Sequence, residues 1–136
     1  QMTAEDDFNH VLIGKGAKQI LDAGGLVQLG AHGQLQGLGA HWELWMLQQG
    51  GMTPMEALRA GTINGAKYLG LDGELGSLEK GKLADLIVLE RSPLENIRNS
   101  ERISLVMVNG RLYDAKTLNE VGNRETARPP FWFEGQ

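Results

Sequence analysis

The side chains best suited to chemistry lie in and beside a glycine-rich stretch, residues 30–39. His32, Gln34 and Gln36 occupy alternate positions there, and His41 follows. A neutral imidazole can bind a divalent metal or act as a base, because it exchanges protons near neutral pH. Glutamine amides and a second imidazole can bind a polar substrate. The pattern predicts an active-site loop in which His32 is a metal ligand or base and Gln34, Gln36 and His41 bind substrate.

Each of these residues also has a simpler interpretation. His32 could only hydrogen-bond the loop backbone, and glutamines in such a loop are usually solvated. His41 begins a helix, where it could cap the helix or line a pocket, and it lacks a second ligand at metal spacing. Glu43 is two residues from His41, which places the two side chains on different helix faces. A paired acid–base role for them is therefore not expected.

Composition limits the possible site chemistry. The chain has 136 residues, no cysteine and three histidines, and none of these forms a His-x-His pair. A thiolate zinc site and a thiol nucleophile are therefore excluded, and any metal must use His, Asp or Glu. A net charge of −4 makes nucleic acid an unexpected partner. We also expect neither a signal peptide in the acidic first ten residues nor a membrane span.

The first half of the chain reads as helices around one short strand. A helix is expected at 11–23, stopped by Gly24, then a buried strand at 26–29, and then a helix at 40–49 with Trp42, Trp45 and Met46 on one side. The indoles at this spacing are more typical of packing than of a substrate pocket.

The next helix has a strong start signal. Thr53 can cap it, Pro54 suits its first turn, and Glu56 completes a capping box. The spacing predicts one continuous helix ending at Gly70. Its predicted buried face consists of Met55, Leu58, Thr62, Ala66 and Leu69.

From residue 73 the pattern changes to β structure. An apolar strand is expected at 86–89, and Asn109-Gly110 predicts a type I′ turn that joins 103–108 to 111–113 as a hairpin. Asp85 is expected to make a turn or strand-entry hydrogen bond rather than to act in catalysis. Residues 124–136 carry an aromatic tail that we expect to cover a surface.

Three stretches together resemble the C-terminal part of the amidohydrolase superfamily, in particular its imidazolonepropionase-like and prolidase-like members. Residues 81–89, GKLADLIVL, and 106–111, VMVNGR, match the closing segment of these enzymes. Residues 51–71 look like their last barrel helix. Residues 24–44 look like an apolar strand running into a glycine-rich loop and a His-x-Glu-Leu helix start. The three stretches cover about two-thirds of the chain, as a pattern match.

The resemblance implies an α/β fold. Residues 1–72 would supply the last strand and helices of a (β/α)8 TIM-type barrel. Residues 73–136 would be the C-terminal part of a small β-sandwich, completed by upstream barrel and sandwich segments of a parent chain. Self-association into a homo-oligomer is another way to cover the exposed edges. Some relatives follow a TolB-like propeller, which implies an exported bacterial protein.

The resemblance also implies a chemistry, hydrolysis by water bound to Zn²⁺ or another divalent metal. In the family the eighth strand supplies an aspartate in a Gly-Thr-Asp motif, and the matching residues here are Gly30, Ala31 and His32. This departure leaves open whether His32 serves as ligand or as base. The implied substrate is a small amide, peptide-like or cyclic amide compound. The alternative interpretation is a non-catalytic scaffold or binding domain derived from such an enzyme.

Overall fold

The computed structural model describes residues 9–33 and 35–135, in which helices come first and a sheet follows. Four α-helices are α1 Asn9–Asp22, α2 Leu38–Gln49, α3 Pro54–Ala60 and α4 Ile63–Leu69. A 3-10 helix spans Ile97–Glu101, and the strands are β1 Leu86–Leu89, β2 Ile103–Val108, β3 Arg111–Asp114 and β4 Glu120–Val121. The mixed helix and strand content agrees with the expected α/β class. No helix in the described ranges is long and apolar enough to cross a membrane.

The segment expected to be a buried strand, residues 26–29, is not paired with any strand in the described part of the chain. Its contacts are to helices instead. The Leu29 amide donates to the Ala60 carbonyl, and Asn64 Nδ2 donates to the Val27 carbonyl. A strand needs a neighbour to hydrogen-bond with, and the described residues offer none beside this segment. The strand prediction is therefore wrong for the chain as it stands.

The helix expected between Thr53 and Gly70 is divided in two. Its start is as predicted, because Thr53 and Glu56 form a capping box. The backbone leaves the helical conformation at Thr62, however, and α4 begins after it. The two pieces therefore do not share one face. Of the positions expected to be buried only Ala66 is buried, whereas Met55 and Leu69 are 48% and 67% exposed.

The second half forms one antiparallel sheet in the order β1-β2-β3-β4. Asn109 and Gly110 both have positive φ, 49° and 77°, as a type I′ turn requires, and they join β2 to β3. Asp85 Oδ1 accepts a hydrogen bond from the Asn109 amide at 2.6 Å. The hairpin and the structural role of Asp85 are therefore confirmed.

The hydrophobic core lies among the helices and reaches into the second half of the chain. Its buried members are Leu44, Leu47, Met52, Ala57, Ala60 and Ile97. Because Ile97 belongs to the 3-10 helix, that helix packs on the same core as α2 and α3. The division into 1–72 and 73–136 stays a prediction, and the two portions share this core.

The aromatic tail, expected to cover a surface, contains stacked rings and an exposed indole. Phe131 and Phe133 stack with ring centroids 5.3 Å apart, and Trp132 is 84% exposed. Arg128 lies over Phe131 and hydrogen-bonds Glu134. Hydrogen bonds from the Arg128 guanidinium and from the Phe131 backbone amide lower the pKa of Glu134 to about 2. The expectation that the tail covers a surface stays a prediction.

Candidate functional site

The loop between residue 30 and α2 is fixed at its start by a helix side chain. The Gly30 amide donates to Glu43 Oε2 at 2.7 Å. Glu43 lies on α2, so this contact ties the loop entry to the helix that follows the loop. Hydrogen bonds to carboxylates are stronger than those between neutral groups. The role of Glu43 is thus to hold the loop, in agreement with the expectation that it does not pair with His41.

His32 stands two residues after this anchor. Its φ is 54° and its side chain is exposed. A non-glycine residue with positive φ is uncommon, and such backbone is found disproportionately at functional sites. The imidazole is therefore open to solvent at a turn whose start is fixed. Gln34, the neighbouring predicted substrate-binding residue, lies outside the described residues.

His41 takes part in a hydrogen-bonded triad that joins the two halves of the chain. Its Nδ1 is 3.0 Å from Ser100 Oγ, and Trp45 Nε1 donates to the same oxygen at 3.2 Å. Ser100 is only 2% exposed. We call these three residues the Ser100 triad. It links α2 to the 3-10 helix across 55 to 59 residues of sequence.

The chemistry of the triad determines the tautomer of His41. The Trp45 indole can only donate, so Ser100 Oγ must accept from it, and the serine O–H is left to donate. His41 Nδ1 is the remaining partner of this hydroxyl among the described residues. The opposite arrangement would bury an O–H without an acceptor, at a cost of about 1–3 kcal/mol. Neutral His41 therefore carries its proton on Nε2.

Two clefts flank α2. The first, the Trp cleft, has a volume of about 510 Å³ and is walled by Trp42, Trp45, Met46, Ala31 and Arg98 among others. The guanidinium of Arg98 lies 4.5 Å from the centroid of the Trp45 ring. Trp45 is thus held by a cation on one face and by Ser100 at its nitrogen, as expected for an indole that packs, whereas Trp42 is 47% exposed.

The second cleft, which we call the His41 cleft, has a volume of about 550 Å³. It is lined by Gln36, Gly37, Leu38, His41, Glu101 and Arg102. The structure therefore brings Gln36 and His41 together, as two predicted substrate-binding residues should be. It does not bring His32 to the lining of either cleft in the described part of the chain. The roles predicted for His32, Gln34, Gln36 and His41 stay predictions.

Sequence reasoning missed Ser100, Glu101 and Arg102. They stand about 60 residues from His41, in a stretch whose only motif is the capping Asn96 of a short 3-10 helix. A serine among charged residues gives no sign of burial. The packing of Ile97 into the core, together with the contacts of Ser100 and Arg98, brings this helix to α2.

The described residues do not contain a complete set of donors for a metal. Across residues 9–33 and 35–135, no three His, Asp or Glu side chains lie close enough together to hold a metal ion. His41 Nδ1 is already taken by Ser100. The described residues therefore do not fit a metal centre by themselves, and His32 could contribute at most one ligand.

Comparison with known proteins identifies the family. The model of the amidohydrolase family matches residues 26–113, well over half of the chain. Ochratoxinase of Aspergillus niger is 37% identical over 89 residues, which are 62% of this chain and 18% of that protein. Guanine deaminase of Escherichia coli is 38% identical over 74 residues, 53% of this chain and 17% of that protein. The chain thus spans about a fifth of the length of these curated relatives.

A solved structure agrees with the sequence matches. A Xaa-Pro dipeptidase with methionine bound in its active site aligns with a TM-score of 0.68 and 32% identity, over 76% of this chain and 26% of the dipeptidase chain. Such structural neighbours imply a fold of the TIM-barrel type. The chain belongs to the amidohydrolase family.

Proposed function

We propose that the chain is the C-terminal segment of a metal-dependent hydrolase that acts on carbon–nitrogen bonds of small amide, peptide-like or cyclic amide compounds. Residues 1–72 would complete a barrel and residues 73–136 a small sandwich. Family membership supports this proposal. So do the names of two relatives, since one is a deaminase and another a dipeptidase, and both names denote reactions at a carbon–nitrogen bond.

The observation that carries the proposal is the placement of His32. It follows residues 26–29, which contact α3 and α4 as a last barrel strand would contact its neighbouring helices. In TIM-type barrels the loops after the strands carry the catalytic groups. Glu43 fixes the start of this loop, and the imidazole is exposed on it.

Exposed apolar side chains support the proposal that this segment packs against further protein. Leu12, Ile13 and Ile20 on α1 are 55%, 62% and 56% exposed. Strand β1 pairs only with β2 within the described residues, and Ile87 and Val88 on it are 50% and 40% exposed. Apolar patches and open strand edges of this kind are normally covered. Upstream barrel helices and sandwich strands would cover them.

Because the described residues do not contain a complete metal donor set, the remaining ligands would come from other segments. His32 then has two possible roles. A neutral ring nitrogen can bind the metal, or the ring can accept a proton at the position where the resemblance places an aspartate. Both roles need an accessible imidazole, which the structure has.

The test is hydrolysis by a longer polypeptide that joins this segment to its upstream barrel. N-acyl amino acids, dipeptides and cyclic amides would be supplied with Zn²⁺ or Mn²⁺, and amine release would be measured. We expect turnover of at least one class by the longer polypeptide and none by the 136-residue chain alone. A correctly folded longer polypeptide without turnover of any class would favour the scaffold alternative instead.

A further inference from the structure

We propose that the His41 cleft is a binding site for a small zwitterion of the α-amino acid type. His41 Nε2–H and Arg102 would bind its carboxylate, and Glu101 would bind its ammonium group. Nothing in the family match assigns these residues. The inference rests on the proposed function only for the origin of the ligand, since hydrolysis of a peptide-like bond releases such a molecule.

The first support is the fixed orientation of His41. The Ser100 triad holds Nδ1 as an acceptor, so the nitrogen left for a ligand is Nε2, and it carries a proton. His41 is itself part of the cleft lining. The ring therefore offers a donor nitrogen whose tautomer is set before a ligand arrives, which lowers the cost of binding.

The second support is the pair of free charges. Glu101 and Arg102 line the cleft, and both are exposed. Neither side chain forms a hydrogen bond or an ion pair with another described residue. They are adjacent in sequence, yet they do not neutralise one another. A ligand with one negative and one positive group satisfies both, whereas a simple anion would meet the Glu101 carboxylate.

The third support is the neutral part of the lining. Gln36 offers an amide that can donate to a carboxylate or accept from an ammonium group, and Leu38 offers an apolar wall that is 48% exposed. The volume of about 550 Å³ exceeds that of one amino acid, so a side chain can lie along Leu38. These groups favour an amino acid with an aliphatic side chain.

The experiment is an NMR titration of the chain with three probes at about pH 7, where an unblocked α-amino group is mostly protonated. L-leucine carries both charges, N-acetyl-L-leucine only the carboxylate, and L-leucinamide only the ammonium group. With L-leucine we expect saturable changes in the NMR shifts of His41 and Arg102. Each blocked probe should bind with about tenfold lower affinity, because it loses one charged contact. Absence of saturable binding, or equal affinity for all three probes, would overturn the proposal.

Variants separate the roles of the charged residues. Arg102→Gln should weaken L-leucine and N-acetyl-L-leucine, while Glu101→Gln should weaken L-leucine and leave N-acetyl-L-leucine unchanged or improved. Arg91→Gln is the matched control, since Arg91 is exposed and outside the cleft lining. Equal effects of the Arg102 and Arg91 changes would contradict the site.

The Ser100 triad has its own readout. The ¹⁵N shifts of the His41 ring should report one tautomer in the wild type and a mixture in Ser100→Ala, while Ser100→Thr keeps a hydroxyl and should restore the single tautomer. An unchanged tautomer in Ser100→Ala would refute the preset donor. Hydrolysis by the longer polypeptide is measured separately, so loss of leucine binding with hydrolysis intact would remove only this inference.

Discussion

Gly14 of α1 and Gly50 at the end of α2 lie backbone against backbone. A Cβ built on Gly50 would be 2.1 Å from the carbonyl carbon of Gly14, and one built on Gly14 would be 2.6 Å from the carbonyl oxygen of Met46. Since both obstacles are backbone atoms, no rotamer change can relieve them. The two helices can approach this closely only because neither position has a side chain.

We predict that Gly50→Ala lowers the free energy of unfolding by about 3 kcal/mol, the upper range for overpacking a close contact. The backbone at Gly50 is right-handed, φ −74°, so alanine fits its conformation and only the contact penalises it. Urea unfolding followed by circular dichroism measures the change. Gly16→Ala is the control, because a Cβ there meets nothing within 4 Å, and a gain of about 0.5–1 kcal/mol is expected. Equal stability of the two variants would refute the contact.

The capping box gives a second prediction. Thr53 Oγ1 accepts from the Glu56 amide at 3.2 Å, and Glu56 Oε2 accepts from the Thr53 amide at 2.7 Å. Thr53→Ala should cost about 1 kcal/mol of unfolding free energy. Thr62→Ala is the comparison before α4, where the hydroxyl donates to the Leu58 carbonyl but makes no capping hydrogen bond, so a smaller loss is expected. If Thr62→Ala lowers the unfolding free energy as much as Thr53→Ala does, the capping explanation is contradicted.

The ion pair between Arg111 and Glu120 predicts that the stability of the fold depends on pH. Glu120 is buried, and two hydrogen bonds from Arg111 hold the pKa of its carboxyl below the ordinary 4.5. The folded chain then binds a proton at Glu120 less readily than the unfolded chain. The resulting stability is present above pH 4.5 and is lost as the pH falls towards the lower folded pKa.

Unfolding free energies between pH 7 and pH 3 check this sign. The wild type should lose more stability on acidification than Glu120→Gln, which has no proton to bind. Glu95→Gln removes one exposed carboxyl outside the sheet and controls for net charge. The pair explanation fails if the pH dependence of Glu120→Gln matches that of the wild type.

The anchor between Glu43 and Gly30 predicts loop behaviour. Glu43→Ala removes the acceptor of the Gly30 amide, so hydrogen exchange of that amide should accelerate by about tenfold, for a contact of about 1.4 kcal/mol. Glu43→Gln keeps an acceptor oxygen and should show a smaller change. The hydrogen-exchange rate of the Gly30 amide, measured by NMR, tests this prediction. An unchanged exchange rate in Glu43→Ala would mean that the loop is held in another way.

Local features were predictable where neighbouring residues decide them. Thr53 with Glu56, and Asn109 with Gly110, determine a cap and a turn within four residues, and both occur as expected. The split at Thr62 was not predictable. The apolar spacing runs through it unbroken, and packing of Ala57 and Ala60 into the core determines which face is buried.

The site was predictable only in part for the same reason. A glycine-rich loop with His32 can be read from sequence, and Gln36 and His41 line the same cleft. The Ser100 triad joins residues 59 positions apart, and no periodicity encodes such a contact. The strand expected at 26–29 failed because pairing depends on neighbours outside the segment.

We propose that His32 belongs to a hydrolytic site completed by other segments. The most direct measurement combines zinc content and turnover in the longer polypeptide, for the wild type, His32→Ala and His32→Asp. We predict that His32→Ala loses turnover by at least about 10²-fold and that His32→Asp, with the residue of the family motif, recovers part of it. If His32→Ala loses zinc as well as turnover, His32 is a metal ligand. If His32→Ala loses turnover but retains zinc, His32 is the base. Turnover in His32→Ala equal to that of the wild type would contradict the account.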